Sequence, residues 1–260
     1  MITTQKFAHN EFAPIFLDNE EQIKSLLKEQ PHVVLVDACS RQIKELFVIE
    51  NPVYAGEKKE EGFQTKEFQE FLNKSEKNFI HVYYPWNSSI VKTVKKDKYL
   101  KLKTNRNQDL ITAEEQKLLS NCRVGVFGMS VGSNIALVLT QAGISNEIII
   151  ADFDELDTSN LNRIIGGSHQ IGLNKCIIAA RHIYEDNPFA CVTILQEGIT
   201  EKNLKEILEQ KKLDIIVEEV DNLTVKIKTR ELAQIYKIPV IMITDNGEGV
   251  MLHVERYDLG

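Results

Sequence analysis

The sequence predicts an α/β protein: a mostly parallel sheet with helices on both faces, preceded by a small α/β domain. Short apolar segments alternate with amphipathic segments in the later part of the 260-residue chain. This alternation is typical of parallel sheets that helices cover on both faces. A glycine-marked turn, FGMSVGS, joins one strand directly to a helix. We expect residues 1–100 to form the small domain and residues 101–260 the larger one.

Each predicted element follows from its apolar spacing and its flanking turn residues. In the small domain we predict a short buried strand over 32–38, helices over 41–48 and 65–72, a solvated loop over 51–62 and a strand over 78–84. A basic, polar connector follows over 92–107. In the larger domain the predicted strands are 123–127, 147–151, 192–195, 214–217 and 240–244, with an additional one over 250–256. The predicted helices between them are 133–142, 175–185, 201–210 and 225–236.

The helix before strand 123–127 has a recognisable start. Thr112 is followed three residues later by Glu115. In such a capping box the hydroxyl accepts a hydrogen bond from the first turn and the carboxylate reaches back. We expect the helix to run from there through Leu119.

Composition excludes several classes of protein. The net charge of −7 argues against a large nucleic-acid footprint. The apolar runs are too short to span a bilayer, and the N-terminus lacks the apolar core of a signal peptide. We therefore expect a cytoplasmic protein. The cysteines contain no C-x-x-C pair, which argues against a zinc site and a disulfide framework. We expect three of them to be buried free thiols: Cys122, Cys176 and Cys191.

The glycine turn is the first candidate site. Gly128 and Gly132 let the backbone approach a phosphate, and the helix that follows offers free N–H groups. Ser130 and Ser133 stand where a full G-x-G-x-x-G has glycine. Glycine also serves shape alone in such turns, so the turn by itself leaves nucleotide binding open. Asp152, at the end of the next strand, has about the spacing of a carboxylate that accepts ribose hydroxyls, which makes the predicted sheet Rossmann-like.

A polar cluster follows that strand: Asp154, Asn160, Asn162, Arg163 and, farther on, Lys175. Loops at the carboxyl ends of parallel strands form the ligand crevice of such sheets. Each side chain alone is explained by helix capping and solvation. Together they indicate a phosphate site, because arginine grips phosphate oxygens in a fork and lysine supplies a compact charge. Both would neutralise charge on a transferring phosphoryl or adenylyl group.

The predicted strand 214–217 is followed by acids, Glu218, Glu219 and Asp221. Carboxylates at a strand end can hold Mg²⁺ through their oxygens. The alternative for Asp221 is the N-cap of the next helix. We favour a metal or substrate role, since Asp221 shares the expected crevice.

These residues together resemble the ThiF/MoeB/HesA family, bacterial relatives of ubiquitin-activating enzymes, from about residue 104 to the C-terminus. The most specific pieces are DFDELDTSNLNR, GLNK around Lys175 and VDN around Asp221. The resemblance implies that the chain binds ATP and Mg²⁺ and adenylates a carboxylate, usually the Gly-Gly tail of a ubiquitin-like protein.

The resemblance also implies residue roles. It assigns Asp152 to the ribose, Asn160, Arg163 and Lys175 to the phosphates, and Asp221 to the metal. Gly128, Ser130, Gly132 and Asp154 complete the implied nucleotide site. Arg106, in TNRNQ, matches an arginine that the family inserts into the partner subunit's site. A homodimer with two composite sites is therefore expected.

The chain departs from the family pattern in several places. The glycine turn is one residue shorter than the usual GxGGLG, NLNRQ is replaced by NLNRI, and no cysteine follows Asp221. The sequence stops at VERYDLG, where family members continue, so we expect the natural chain to extend beyond Gly260. The opening region is also similar to bacterial ThiF-type proteins with an attached nitroreductase-like domain.

Two alternatives stay open at this point. An NAD- or FAD-binding oxidoreductase domain would use Gly128, Gly132 and Asp152, but it would leave Arg163 and Lys175 unexplained. A non-catalytic ThiF-like scaffold is favoured by the short turn and the missing thiol. It is disfavoured by the joint presence of Arg106, Asn160, Arg163, Lys175 and Asp221.

Overall fold

The computed structural model describes residues 12–75, 78–211, 213–245 and 247–259. The chain divides into two compact units, residues 1–108 and 109–260. Residues 1–11, which the signal-peptide prediction concerned, lie outside the described part. None of the described helices is long and apolar enough to cross a membrane.

The first unit contains a four-stranded sheet in the order β1-β3-β4-β2. Its strands are β1 Ile15–Leu17, β2 Val34–Asp37, β3 Phe79–Tyr84 and β4 Ser89–Val94. Its helices are α1 Glu20–Glu29, α2 Cys39–Glu50, α3 Lys59–Gly62, α4 Lys66–Ser75 and α5 Lys96–Lys103. β3 pairs antiparallel with β1 and β4, whereas β2 runs parallel to β4.

The strand predicted over 32–38 exists as β2, but the prediction that it is buried is wrong. Val34, Leu35 and Val36 are 59%, 55% and 43% exposed. β2 forms an edge of its sheet, and an edge strand has a neighbour on one side only. An apolar run therefore predicted the strand correctly and its burial incorrectly.

Two other predictions for the first unit are corrected. The connector predicted over 92–107 is the end of β4 followed by α5 and a 3₁₀ turn. Lysine does not prevent a strand here, because the Lys92 ammonium lies 4.3 Å from the centroid of the Phe79 ring, which attracts a cation to its face. The loop predicted over 51–62 contains two 3₁₀ turns and α3.

The second unit is a six-stranded sheet in the order β10-β9-β8-β5-β6-β7. Its strands are β5 Arg123–Phe127, β6 Glu147–Ala151, β7 Cys191–Leu195, β8 Ile215–Glu218, β9 Val240–Asp245 and β10 Val250–Glu255. Its helices are α6 Ala113–Asn121, α7 Gly132–Gln141, α8 Lys175–Asp186, α9 Glu201–Lys211 and α10 Leu223–Tyr236. β5 to β9 are parallel, and β10 returns antiparallel to β9. The predicted Rossmann-like α/β fold is confirmed.

One core of this unit joins the sheet to α9 and α10. Phe127 and Ile216 from the sheet, Leu204 and Leu208 from α9, and Ala233 from α10 are at most 2% exposed. Burying a large apolar side chain of this kind contributes about 1.5–3 kcal/mol to folding. This packing fixes the carboxyl ends of β5 and β8, where the candidate site lies.

The predicted capping box is present at the start of α6. The Thr112 hydroxyl accepts from the Glu115 N–H at 3.2 Å, and the Glu115 carboxylate accepts from the Thr112 N–H at 2.7 Å. The prediction for the cysteines is only partly right. Cys176 is buried, but Cys122 is half-buried and Cys191 is exposed, because Cys191 is the first residue of β7.

Candidate functional site

The glycine turn lies where the order of the sheet reverses. β5 has β6 on one side and β8 on the other. In open α/β sheets, ligands bind in the crevice outside the carboxyl ends of the strands at such a point. The turn that follows β5 therefore sits at the expected position of a ligand site.

Gly128 and Gly132 serve close packing as well as turn geometry. Gly128 has a φ of +93°, and a Cβ there would lie 2.5 Å from the carbonyl oxygen of Glu219. A Cβ at Gly132 would lie 3.0 Å from a methyl group of Val126. The two glycines thus let the turn press against the end of β8 and let α7 approach β5.

The N-terminus of α7 is open to a ligand. Its N-cap residue, Val131, makes no side-chain capping hydrogen bond. By contrast, Thr112, Asn174 and Asn222 cap α6, α8 and α10 with their side chains. Uncapped N–H groups and the positive end of the helix dipole favour an anion at this position.

Asp152 ties the turn to the end of β6. One carboxylate oxygen accepts from the Met129 N–H at 2.5 Å, and the other accepts from the Asp154 N–H at 2.8 Å. The side chain of Asn174 donates to the Asp152 carbonyl at 3.0 Å. Asp152 is half-buried, and each carboxylate oxygen keeps a lone pair that can accept a further donor.

Arg163 lies against the glycine turn. Its Nε donates to the Ser130 hydroxyl at 3.0 Å, and its Nη1 donates to the Asn162 side chain at 2.9 Å. The Arg163 carbonyl accepts from the side chain of Asn134 at 2.7 Å. The loop between β6 and α8 is therefore folded back on the turn, and it brings an exposed guanidinium beside the open end of α7.

Lys175 is buried, in contrast to Arg163. Its side chain is 7% exposed, and its ammonium donates to the Asp154 carboxylate at 2.7 Å. The Lys175 N–H also donates to the Asp154 carbonyl at 2.9 Å. Asp154 thus orients this cation and partly neutralises it. A bound anion would have to share the ammonium with Asp154.

Asn160 has a local structural role. Its side-chain oxygen accepts from the Asp157 N–H at 3.0 Å, in a capping box of the short 3₁₀ turn Thr158–Asn160. Capping, the alternative weighed for this cluster, therefore accounts for the oxygen of Asn160. The side-chain NH₂ is the group that remains for a ligand.

The acids at the end of β8 and just beyond it differ in burial. Glu218 is fully buried and pairs with Lys226 and Arg230 at 3.0 and 2.8 Å. Glu219 is half-buried and accepts from the Ile243 N–H at 2.8 Å. Burial raises the pKa of Glu219, against the opposing effect of that hydrogen bond. Neither carboxylate projects freely as a metal ligand.

Asp221 is exposed. It is not the N-cap of α10, because Asn222 has that role and accepts from the Val225 N–H at 3.1 Å. In the described part of the chain, no three His, Cys, Asp or Glu side chains form a metal-binding group. Mg²⁺ is commonly held by one or two carboxylates together with substrate phosphates. A single exposed carboxylate fits that manner of binding.

Arg106 belongs to the first unit, in the 3₁₀ turn Asn105–Asn107. The other candidate residues belong to the second unit. Asp152, the glycine turn and Arg163 form one hydrogen-bonded group, Asp154 and Lys175 form another, and the Asp154 N–H donates to Asp152 and joins the two groups. Sequence reasoning missed Asn134 and Asn174, which brace these groups. Their positions in the first turn of α7 and just before α8 were the available signal.

The arrangement combines an open helix end, the Arg163 guanidinium and oriented carboxylates at one edge of the sheet. A guanidinium stays charged at any physiological pH, so Arg163 can stabilise phosphate charge without proton transfer. The chemistry that suits such a site is binding and positioning of a polyphosphate rather than acid–base catalysis.

The ThiF family matches residues 102–247, more than half of the chain. "Uncharacterized protein MT1398" of Mycobacterium tuberculosis is 40% identical over 178 residues, which are 68% of this chain and 24% of that protein. The adenylyltransferase and sulfurtransferase UBA4 of Candida albicans is 35% identical over 115 residues, 44% of this chain and 26% of that protein. The chain spans about a quarter of the length of these curated relatives.

Two solved structures share the fold. The E. coli tRNA N6-threonylcarbamoyladenosine dehydratase TcdA, solved in complex with ATP, has a TM-score of 0.52 and 24% identity, over 55% of this chain and 58% of that chain. PaaA has a TM-score of 0.54 and 20% identity, over 93% of this chain and 69% of that chain. None of these similarities supports the oxidoreductase alternative.

Proposed function

The chain belongs to the ThiF family, and from that premise we propose that its second unit binds ATP and activates a carboxylate by adenylation. A carboxylate oxygen of the substrate attacks the α-phosphorus of ATP. The bond from that phosphorus to the pyrophosphate oxygen breaks, which gives an acyl-adenylate and pyrophosphate. The name of the relative UBA4, an adenylyltransferase and sulfurtransferase, supports this reaction class.

One observation carries the proposal: Asp152, Arg163 and the uncapped start of α7 meet at the switch point of the sheet. A carboxylate that can accept ribose hydroxyls contacts the turn at Met129. A guanidinium suited to phosphate contacts it at Ser130, next to the uncapped helix start. This order, sugar acceptor and then phosphate donors, matches the order of groups in a nucleotide.

We assign the remaining residues by their surroundings and by the resemblance. The backbone at Gly128, Ser130 and Gly132 would lie along the phosphates. Asn160 and Lys175 would donate to phosphate oxygens, with Asp154 holding the lysine in place. Asp221 would hold Mg²⁺, which supplies charge neutralisation on the phosphates when bound.

The partners are proposed on the same basis. The substrate carboxylate would belong to a ubiquitin-like protein or to a smaller acid. A homodimer would bring Arg106 of one copy to the site of the other. The cytoplasmic location and the similarity to ThiF-type proteins with an attached nitroreductase-like domain stay predictions from the sequence.

The test uses Arg163→Ala in the 260-residue chain. ATP–pyrophosphate exchange is measured with a panel of carboxylates, from free amino acids to peptides that end in Gly-Gly. We expect the exchange rate to fall by at least about 100-fold, because a preorganised charge on the transferring group is lost. Arg41→Ala removes an arginine that is 88% exposed in the first unit and serves as the matched control. Equal exchange rates in both variants would exclude the role of Arg163.

A binding measurement separates the proposed function from the scaffold alternative. Calorimetry of the unaltered chain with ATP and Mg²⁺ should show binding, whereas NAD and FAD should not bind. ATP binding without exchange on any carboxylate would favour the scaffold. Binding of NAD or FAD in preference to ATP would overturn the proposal.

A further inference from the structure

Glu218 is a fully buried carboxylate between two cations. Its side chain is 0% exposed, and its oxygens lie 3.0 Å from the Lys226 ammonium and 2.8 Å from the Arg230 guanidinium. Lys226 and Arg230 are four residues apart on α10, so they project from one face of the helix. These three residues form what we call the β8 ion cluster.

The same carboxylate also holds the backbone of the loop that follows β8. The Glu218 oxygen Oε1 accepts from the Val220 N–H at 2.9 Å. Val220 immediately precedes Asp221, and the preceding residue, Glu219, donates its N–H to the Phe127 carbonyl at 2.7 Å. The course of the chain into Asp221 is therefore fixed by the side chain of Glu218.

Stability alone is a weak explanation for such a cluster. Burying ions costs free energy, and replacing a buried ion pair with apolar residues of similar size is often neutral or stabilising. An apolar replacement would lack an acceptor for the Val220 N–H. What Glu218 supplies and an apolar residue would not is an acceptor for the Val220 N–H, which sets the direction of the loop.

We propose that Glu218 is a positioning residue, which holds the Val220 backbone and thereby aims Asp221 at the phosphate-bound Mg²⁺ in the crevice. This inference rests on the proposed function, since it gives Asp221 a ligand to meet. Lys226 and Arg230 act through Glu218, because their contacts at 3.0 and 2.8 Å hold its carboxylate in place. None of the three touches the substrate in this role.

The test separates position from stability by removing all three charges at once. The variant combines Glu218→Leu, Lys226→Met and Arg230→Met, which leaves no fully buried ion in the cluster. The Glu255 carboxylate, which loses Arg230 as a partner, is 30% exposed and keeps the Tyr257 hydroxyl as a donor. We expect a melting temperature close to that of the unaltered chain. Hydrogen exchange at the Val220 amide should become at least about 10-fold faster, while the Glu219 amide stays protected. Loss of protection throughout β8 and α10 would instead indicate a structural role and overturn the proposal.

Calorimetry with ATP supplies the second readout. The gain in ATP affinity on adding Mg²⁺ should fall by about 10-fold in the triple variant, as expected for one lost charge-assisted contact. Asp221→Asn should lose the same gain, whereas affinity for ATP in EDTA should not change in either variant. A folded triple variant that keeps the full gain from Mg²⁺ would reject the inference.

Two further variants complete the design. Glu255→Gln removes another carboxylate from Arg230, which it contacts at 3.0 Å, without touching Val220. It should keep both the slow exchange and the gain from Mg²⁺. If the triple variant does not fold, Glu218→Gln takes its place, because a neutral oxygen accepts a weaker hydrogen bond. Exchange at the Val220 amide should then become faster and the gain in ATP affinity from Mg²⁺ should fall. No change in either quantity would refute the proposal.

The failure of the proposed function has a different signature. If the unaltered chain does not bind ATP, with or without Mg²⁺, adenylation is excluded and Asp221 has no phosphate-bound metal to meet. Exchange at the Val220 amide then still decides whether Glu218 fixes the loop.

Discussion

The ends of β6 and β8 both carry acids, yet their carboxylates have opposite surroundings. β6 ends at Ala151, so Asp152 is the first residue beyond the strand and its half-buried carboxylate faces the glycine turn. β8 ends at Glu218, so that carboxylate is still part of the strand and points into the space that α10 covers. In this pair, the acid that lies beyond its strand contacts the glycine turn, and the acid that is still part of its strand is buried under α10.

This contrast shows why an acid at a strand end is ambiguous in sequence. Side chains alternate between the two faces of a strand, and a residue beyond the strand is free of that alternation. Periodicity gives strand boundaries only to within a residue or two. The same uncertainty that is harmless for the fold is therefore decisive for the role of a carboxylate.

The largest expected effect breaks the contact between the glycine turn and the end of β8. Gly128→Ala should lower the free energy of unfolding by about 3–5 kcal/mol, because it adds strain at positive φ and a clash with the Glu219 backbone. Gly172→Ala is the matched control, since Gly172 has a φ of +84° and no heavy atom within 4 Å of an added Cβ. Urea unfolding measures both variants. Equal losses of unfolding free energy in the two variants would mean that the clash with the Glu219 backbone adds nothing to the strain at positive φ.

The next prediction compares the ion pairs at the two strand ends. Arg230→Met leaves the buried Glu218 with one cation and should cost about 2–4 kcal/mol. Asp154→Asn removes the carboxylate from Lys175 but keeps an oxygen acceptor, and should cost about 1–2 kcal/mol. Thermal unfolding of both variants at neutral pH gives the order. A larger loss of stability for Asp154→Asn than for Arg230→Met would mean that the ion pair after β6 stabilises the fold more than the one at the end of β8.

The smallest effect concerns the titration of Glu219. Burial raises its pKa above the usual 4.5, so the folded state binds the proton more tightly than the unfolded chain. The protonated Glu219 carboxyl therefore contributes to the free energy of unfolding at low pH, and this contribution is lost as the pH rises through the pKa of the folded state. Glu219→Gln should therefore be more stable than the unaltered chain above that window, by less than about 1 kcal/mol because the group is half-buried and screened. If the free energies of unfolding of Glu219→Gln and the unaltered chain differ by the same amount at every pH, the raised pKa of Glu219 is contradicted.

The sequence predicted the second unit better than the first. Strands β5 and β6 have the predicted bounds, because each is a short, mostly apolar segment between clear turn residues. In the first unit, β1, α1 and the whole of β4 were missed. β4 carries Lys92 within an apolar frame, and its stability depends on pairing with β3 and β2, which no local pattern reveals.

The sequence predicted which residues belong to the candidate site, but not which contacts their side chains make. Family motifs singled out Arg163 and Lys175, yet nothing local distinguishes an exposed arginine on Ser130 from a buried lysine on Asp154. Their surroundings depend on how the segment between β6 and α8 folds back on the turn. Tertiary contacts such as Asn134 to the Arg163 carbonyl set that path.

The exposed thiol of Cys191 has a practical consequence. It opens β7 at the amino edge of the sheet, away from the edge where the glycine turn lies. Cys176 is enclosed, and burial raises its pKa, which keeps it protonated and slow to react. A maleimide dye would therefore attach at Cys191 in the native chain far more readily than at Cys176, giving a fluorescent reporter of ligand titrations that leaves the crevice itself unlabelled.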